Sequence, residues 1–336
     1  MKQILLIVAL LCGAWCAKAQ DMTVATLDSQ AGSQSFYGPD ALKEAVNAAQ
    51  EGDRITLSPG TFNAVKIEDK SLKIQGAGFE NNPEKGLYRT TITGSMTIGK
   101  REKECSNFLL EGVFFDNSVF VSGYMKSFTA KKCRFAYCAF ETSGSSSKDT
   151  KIEHCRFSNF LLVGHNAANF TVYNSVVCFL DWFEKSSVSA LNTIFGDVSN
   201  NAPAHFENCI LYTVGSKYNQ SLSKDAIVFN CVAYSSNAFK GMSALNNSVT
   251  LDESKEQIFM EKAPAENNRY SDDFSYELTD EAAAKYLGKS GGQVGIYGGY
   301  SPYNATPSNP RIVSKKIDER SSNGKLNVEI KVAAQN

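Results

Sequence analysis

The chain has 336 residues, 34 Lys and Arg against 35 Asp and Glu, a formal charge of −1 and 43% hydrophobic residues. So even a balance lacks the basic surplus that nucleic acid demands, and no nucleic-acid partner is expected. The apolar run near the N-terminus is too short to cross a bilayer and no later window approaches the roughly 18 apolar residues a span needs, so no membrane span is expected either.

The first nineteen residues, MKQILLIVALLCGAWCAKA, combine Lys2, an apolar run from Ile4 to Leu11, and small residues at Ala17 and Ala19. A basic start, a short apolar centre and a small-residue end make a secretory signal peptide, so residues 1–19 are expected to be removed and the mature protein to be secreted, to periplasm, cell surface or beyond. Leu11 and Trp15 precede Cys12 and Cys16, where a lipid-attachment box needs a small residue, which argues against a lipid anchor. Without Lys2 and Lys18 the mature chain has 32 basic and 35 acidic residues, a charge of −3, and seven cysteines.

Residues 20–37 are polar and read as irregular chain or a short first strand. From Pro39 to Gln50, Pro near the start, early acids, apolar residues at 42, 45, 46 and 49, and Gly52 just past the end predict one amphipathic helix. A strand and a Pro59-Gly60 turn follow, then strands at 65–67 and 72–74. Little further helix is expected.

From there to about residue 235 a six-residue phrase recurs. It has an apolar residue, two positions of which the second is often Asn, then Cys, Ser or Thr, one more residue, and a bulky apolar one. Examples are Ala130-Lys131-Lys132-Cys133-Arg134-Phe135, Val172-Tyr173-Asn174-Ser175-Val176-Val177 and Phe206-Glu207-Asn208-Cys209-Ile210-Leu211. The small positions 133, 155, 175, 193, 209 and 231 are 22, 20, 18, 16 and 22 residues apart, the period of a solenoid whose short strands share one continuous interior.

The columns of the phrase then have structural roles. Phe135, Phe157, Val177, Phe195, Leu211 and Ala233, with Phe114 as an earlier member, form a stack of core side chains. Asn174, Asn192, Asn208 and Asn230 suit a tight left-handed bend and can bond one another from coil to coil. The cysteines of the small column read as buried, reduced, small hydrophobes, because in-register residues sit ~4.8 Å apart and a disulfide needs Cβ atoms nearer ~3.8 Å.

The order helix, then Gly52-Asp53-Arg54-Ile55-Thr56-Leu57-Ser58-Pro59-Gly60-Thr61-Phe62, then Ile74-Gln75-Gly76-Ala77-Gly78-Phe79, then repeated Asn-Cys, Asn-Ser or Asn-Thr bends, resembles the right-handed parallel β-helix of the pectin-lyase-like superfamily over about residues 38–300. The resemblance implies an all-β fold, in a secreted bacterial member, whose N-terminal helix plugs the open end of one β-helix domain spanning 20–300. The stretch from Asp273 to Gly299 looks like the closing coil of such proteins. Residues 301–310 read as a Pro-rich link, and 311–336 as a C-terminal hairpin around Asn323-Gly324 that either covers the last coil's edge or attaches to a partner.

The superfamily implies two chemistries. Its lyases abstract a proton beside a uronate carboxylate with Lys or Arg, often aided by Ca²⁺, and its hydrolases use paired carboxylates. The strands after the phrase offer Glu141, His165, Asp181 and Lys185 as catalytic candidates, and Trp182 with Glu184 as a carbohydrate-binding pair. Trp182 reads either as a sugar-stacking platform or as a core aromatic aligned with Phe140 and Leu162, and the charges either as a site or as ordinary solvated surface. The hydrolase motifs are nearly absent: only Gly164-His165-Asn166 approaches one, and the sole Asp-Asp pair, Asp272-Asp273, lies beyond the repeats. Lys131, Lys132, Arg134 and Arg156 supply cations on successive coils, with Asp116 and Glu141 the nearest acids. His154 and His205 read as bend or surface residues. No cofactor is evident, and Ca²⁺ enters only with a lyase. The expected role is recognition of extracellular or cell-surface polysaccharide by a monomer, with a uronate lyase and a structural or adhesive protein as alternatives.

Overall fold

A computed structural model describes residues 23–100, 103–140, 146–182, 185–199, 204–212, 222–234, 237–242, 245–252, 256–261, 271, 274–308, 310–317 and 328–333. The expected signal peptide, Glu141, Glu184, Asp272-Asp273 and Asn323-Gly324 lie outside the described residues. The protein is nearly all β, a parallel β-solenoid of about 9 turns with two helices. No helix among the described residues is long and apolar enough to cross a membrane.

The N-terminal residues form more than a single strand. Val24–Ser29 pairs antiparallel with Gly32–Tyr37 and with Arg54–Leu57. Helix α1 (Ala41–Ala48) buries Ala41, Leu42, Ala45 and Val46, the face its apolar spacing dictates. Lys70 donates through Nζ to the carbonyls of Val46 (3.1 Å) and Ala49 (2.8 Å), placing a cation on the carbonyls that the helix end leaves unpaired.

Every later coil repeats one path. A strand of the first long sheet, from Arg54–Leu57 to Leu245–Asn246, bends into a strand of the second, from Gly60–Asn63 to Val249–Thr250, and neighbours in each run parallel. In three coils a short third sheet (Glu104–Ser106, Tyr124–Lys126, Ser147–Lys148) closes the cross-section. In Phe114–Val121, Arg134–Phe140 and Arg156–Val163 a register shift after the second residue splits the strand into two faces.

From the coil of Leu109–Glu111 onward, the bend between the long sheets carries a left-handed residue. Gly112 (φ 67°), Lys132 (51°), His154 (53°), Asn174 (40°), Asn192 (48°), Asn208 (57°), Asn230 (48°) and Asn247 (52°) fill it. Asn is the side chain that tolerates this region best, which is why it recurs. Gly112 is required for a second reason: a Cβ there would lie 2.9 Å from the Gly76 carbonyl and from Pro307.

The next position explains why Cys, Ser and Thr interchange. Each donates to the carbonyl two residues earlier: Cys155 Sγ to Glu153 (3.3 Å), Ser175 Oγ to Tyr173 (2.7 Å), Thr193 Oγ1 to Leu191 (2.9 Å), Cys209 Sγ to Glu207 (3.3 Å). A small buried donor is the requirement, and thiol or hydroxyl meets it. All seven cysteines among the described residues are free, six of them buried, and burial raises the thiols of Cys138, Cys155 and Cys231 above their usual range.

In its coil the interior column holds Phe115, one residue later than expected, and continues below it through Ile92 and Phe62. Phe115 pairs with Phe135, and Phe135 with Phe157, their rings stacked at 4.9 Å and 4.9 Å, whereas Phe114 pairs with Arg134 and faces outward. Strand alternation makes that single-residue slip a change of face. Outside, the guanidinium groups of Arg89 and Arg134 lie 4.8 and 4.5 Å from the Phe114 ring centre.

Residues 274–308 do not form a closing coil. They hold a second helix, α2 (Asp280–Lys285), capped by Thr279 Oγ1 accepting from Ala282 N at 3.1 Å, and then run back down the outside of the stack along the left-handed bends. Lys289 N donates to Asn208 Oδ1 (3.0 Å), and Asn174 Nδ2 donates to the carbonyls of Ile296 (2.9 Å) and Gly298 (3.0 Å). Further down, Arg156 Nε donates to Tyr303 Oη (3.0 Å), Lys132 Nζ to the Thr306 carbonyl (2.6 Å), and Ser308 N to Glu111 Oε1 (3.0 Å). The segment expected as a link, 301–310, is thus packed through residue 308, with Tyr303 and Ala305 buried.

Beneath this strap lies a second apolar core of Val176, Ile194, Ile210 and Val232 against Phe274, Tyr276, Val294 and Ile296. Of the asparagines, 208 bonds Asn192 (3.0 Å) and 230 bonds Asn208 (3.5 Å) as a ladder, whereas Asn174 serves the strap. Asn174→Ala is therefore expected to cost about 1 to 2 kcal/mol by leaving the buried Gly298 carbonyl unbonded and the Ile296 carbonyl with Tyr303 N alone. A urea unfolding midpoint checks this, and an unchanged midpoint would refute the latch.

The C-terminal strands Arg311–Ile317 and Val328–Ala333 pair antiparallel, and among the described strands only with each other. The first long sheet ends at Leu245–Asn246 and the second at Val249–Thr250, so the hairpin does not cover the last coil's edge by pairing with it.

Candidate functional site

Strand alternation separates the residues expected to form a site. Asp181 and Trp182 are neighbours in Val176–Trp182 and therefore point to opposite faces. Trp182 is 1% exposed, packed against Phe206 with ring centres 6.4 Å apart, and pairs with Val163, not with Leu162. The sugar platform is corrected accordingly, because an indole inside the solenoid offers no ring face to a ligand. Asp181 pairs with Leu162 and points outward, half-buried.

His165 lies on the turn after Arg156–Val163, half-buried, beside a cavity of about 10 Å³ that it lines with Val121, Met125, Phe140 and Ser147, room for about one water. Lys185 is exposed on the turn after Trp182, with φ 68°. Asp181, His165 and Lys185 thus stand on a strand and two separate turns, and Glu141 and Glu184 fall outside the described residues. Among the described residues no three His, Cys, Asp or Glu side chains converge as a metal site.

Of the other charged candidates, His154, Lys132 and Arg156 serve the strap. His154 is a bend residue, as its position suggested, but it is 7% exposed and not a surface group. Its Nδ1 accepts from Asn304 N (3.2 Å) and its Nε2 lies 3.2 Å from Ser301 Oγ. Burial, and then the charges of Lys132 and Lys131, hold its pKa down at about 4. Burial also lowers Lys132, and raises the Tyr303 phenol well above its usual range against the pull of Arg156. His205 Nε2 sits 3.7 Å from Glu207 on the first sheet.

What sequence reasoning missed is an aromatic row on the outer face of the second sheet, past the register shift. Phe120 and Tyr137 have ring centres 6.0 Å apart, Tyr137 and Phe160 6.2 Å, Phe160 and Phe179 4.6 Å, so four successive coils each contribute one ring. Phe120 is 40% exposed and the other three are half-buried. Inward neighbours Val119, Cys138, Leu161 and Leu180 are fully buried, which fixes the ring side as the outer one. Burial first, and then Cys138 and Asp181, raise the Tyr137 phenol above its usual range. The signal was present: Phe120, Tyr137, Phe160 and Phe179 each fall one residue from a core aliphatic or Cys, but the bulge after Phe115, Phe135 and Phe157 hides their common face from a strict count.

The row carries one ring per coil along the stacking axis, stepping sideways from the column of Phe120 to that of Tyr137, Phe160 and Phe179. Chemically it offers apolar, polarisable ring surface at intervals of 4.6 to 6.2 Å, one phenol, and at one end the half-buried Asp181 carboxylate. Compared with family models, with curated proteins and with solved structures, the chain finds no match.

Proposed function

We propose that this protein binds polysaccharide, the glycan lying along the solenoid axis over Phe120, Tyr137, Phe160 and Phe179. The observation that carries the reading is the row itself: four partly exposed rings on successive coils, a linear and repetitive surface suited to a linear and repetitive ligand. Ring faces stack against the apolar faces of sugars, and the Tyr137 hydroxyl gives a hydrogen-bonding handle. The finer expectations accompany this reading as proposals: a secreted monomer, a right-handed coil of the pectin-lyase-like type, and α1 closing its N-terminal end. No catalytic step is assigned to the face.

Affinity electrophoresis of the mature protein, residues 20–336, through gels containing a panel of polysaccharides tests the proposal. Retardation is expected with at least one glycan, and Phe160→Ala is expected to weaken it about five- to tenfold, the equivalent of roughly 1 kcal/mol for one lost ring contact. Retardation that is unchanged in Phe120→Ala and Phe160→Ala, with circular dichroism confirming both folds, would remove the row from the function.

A further inference from the structure

We infer that the glycan selected by this face is a neutral polysaccharide and that polyuronates are discriminated against. This rests on the glycan-binding reading of the aromatic row and adds the class of chain.

Two outward columns make up the face. One passes from Ser118 to Tyr137, then Phe160, Phe179 and Asp197. The other passes from Thr97 to Phe120, Ala139, Leu162 and Asp181. The charges within these columns are both carboxylates. Asp181, half-buried, lies one column from Phe179 on the same strand, whereas Asp197, the next member of the ring column, is buried and accepts from Val198 N at 2.9 Å, so Asp181 is the carboxylate that the columns present.

The flanking charges do not reverse the sign. Lys66 extends the second column beyond Thr97, but its Nζ is 2.7 Å from the Glu68 carboxylate. Asp116, at the corner of the Phe120 strand, adds a third carboxylate, which accepts from Thr93 Oγ1 at 2.6 Å and Gly94 N at 3.1 Å. His165 and Lys185 lie on turns beyond the strand ends. The nearest guanidinium on these strands, Arg134, stands before the register shift and against Phe114, on the other face of the corner.

A polyuronate carries a carboxylate on every sugar and would lay several of them along a face whose described columns present the Asp181 carboxylate beside the rings. Recognition of such a chain calls for guanidinium or ammonium donors, with Arg forking onto the carboxylate, and the described columns place none beside the rings. A neutral chain brings hydroxyl donors instead, which carboxylates accept in charge-assisted hydrogen bonds. The Asp181 charge reaches into the row, since it is among the causes that raise the Tyr137 phenol.

The test is equilibrium binding of the full mature protein to a soluble neutral β-glucan, a neutral xylan and polygalacturonate in low salt. At least one neutral chain is expected to bind ten times more tightly than polygalacturonate or better, with the ratio shrinking as salt screens the repulsion. Asp181→Asn is expected to lower that ratio several-fold, and Asp181→Lys to lower it further. A preference for polygalacturonate, or a ratio indifferent to both substitutions and to salt, overturns the inference while leaving glycan binding intact. If none of the three chains, nor any other polysaccharide, is bound, the glycan reading itself falls and this inference with it.

Discussion

Phe135→Ala is expected to destabilise the protein by about 3 to 5 kcal/mol, the largest loss for any single core truncation discussed. Phe135 is fully buried and stacked between two rings, Phe115 and Phe157, each 4.9 Å away. In a solenoid each coil rests only on its neighbours, so removing the middle ring opens a cavity at two coil interfaces at once. Phe114→Ala, one coil below and on the outer face, loses only a half-buried ring and its contacts with Arg89 and Arg134, and is expected to cost about 1 kcal/mol. Urea unfolding of both variants checks the register directly. Equal losses would mean that Phe114, not Phe115, belongs to the interior column.

The comparison between these two phenylalanines also shows how far the sequence could be read. The solenoid was legible because the left-handed bend and the donor beside it recur in each coil from Lys132-Cys133 to Asn247-Ser248, and few side chains suit either position. Asn, Cys, Ser and Thr therefore mark the coil with little dependence on what surrounds it. The row Phe120, Tyr137, Phe160 and Phe179 was not legible, because a bulge of one residue between bend and row reverses the apparent face of everything after it.

The strap was hidden for a different reason. Its latch consists mostly of side chains donating to or accepting from backbone, and backbone leaves no mark in composition. One signal did exist at the fifth position of the repeated phrase, which changes from Arg134 and Arg156 to Val176, Ile194, Ile210 and Val232. That position faces outward, so a run of aliphatic residues there requires a cover, and residues 274–296 provide it. Trp182 fails as a surface residue on the same principle of alternation that puts Asp181 outside.

Acidification from pH 7 to pH 4 is expected to loosen the strap over residues 301–308 before the coils beneath it unfold. Neutral His154 accepts from Asn304 N at Nδ1 and can donate from Nε2 to Ser301 Oγ, but an imidazolium has no acceptor to offer Asn304. The groups that face it are cationic or neutral for the most part: Lys132 and Lys131 from the neighbouring coil, Tyr303 from the strap with ring centres 6.2 Å apart, Arg156 two residues on, and Glu153 beside it in sequence. Burial first and the lysines second bring its pKa from 6.5 to about 4. The folded state therefore binds fewer protons than the unfolded one between these values. The stabilisation is complete above pH 6.5 and is lost as pH falls toward 4, by about 2 to 3 kcal/mol once solvent screening is allowed for.

Glu111 acts later in the same direction. Burial would raise its carboxyl, but hydrogen bonds from Ser308 and Gln75 and the Lys131 charge outweigh it and lower the pKa from 4.5, so its hold on Ser308 is lost only at more acid pH. Hydrogen exchange followed by mass spectrometry should show protection falling in 301–308 from pH 6.5 downward, after correction for intrinsic rates, while Lys151–Glu153 and Arg156–Val163 stay protected. His154→Asn keeps a residue suited to the left-handed bend but carries no titrating group, so its strap protection should be independent of pH between about 6.5 and about 4.5. Protection that is flat in the wild type, or that falls equally in His154→Asn, would show that the strap is held by its apolar underside alone, since burial of Tyr276, Val294 and Ile296 does not depend on any proton.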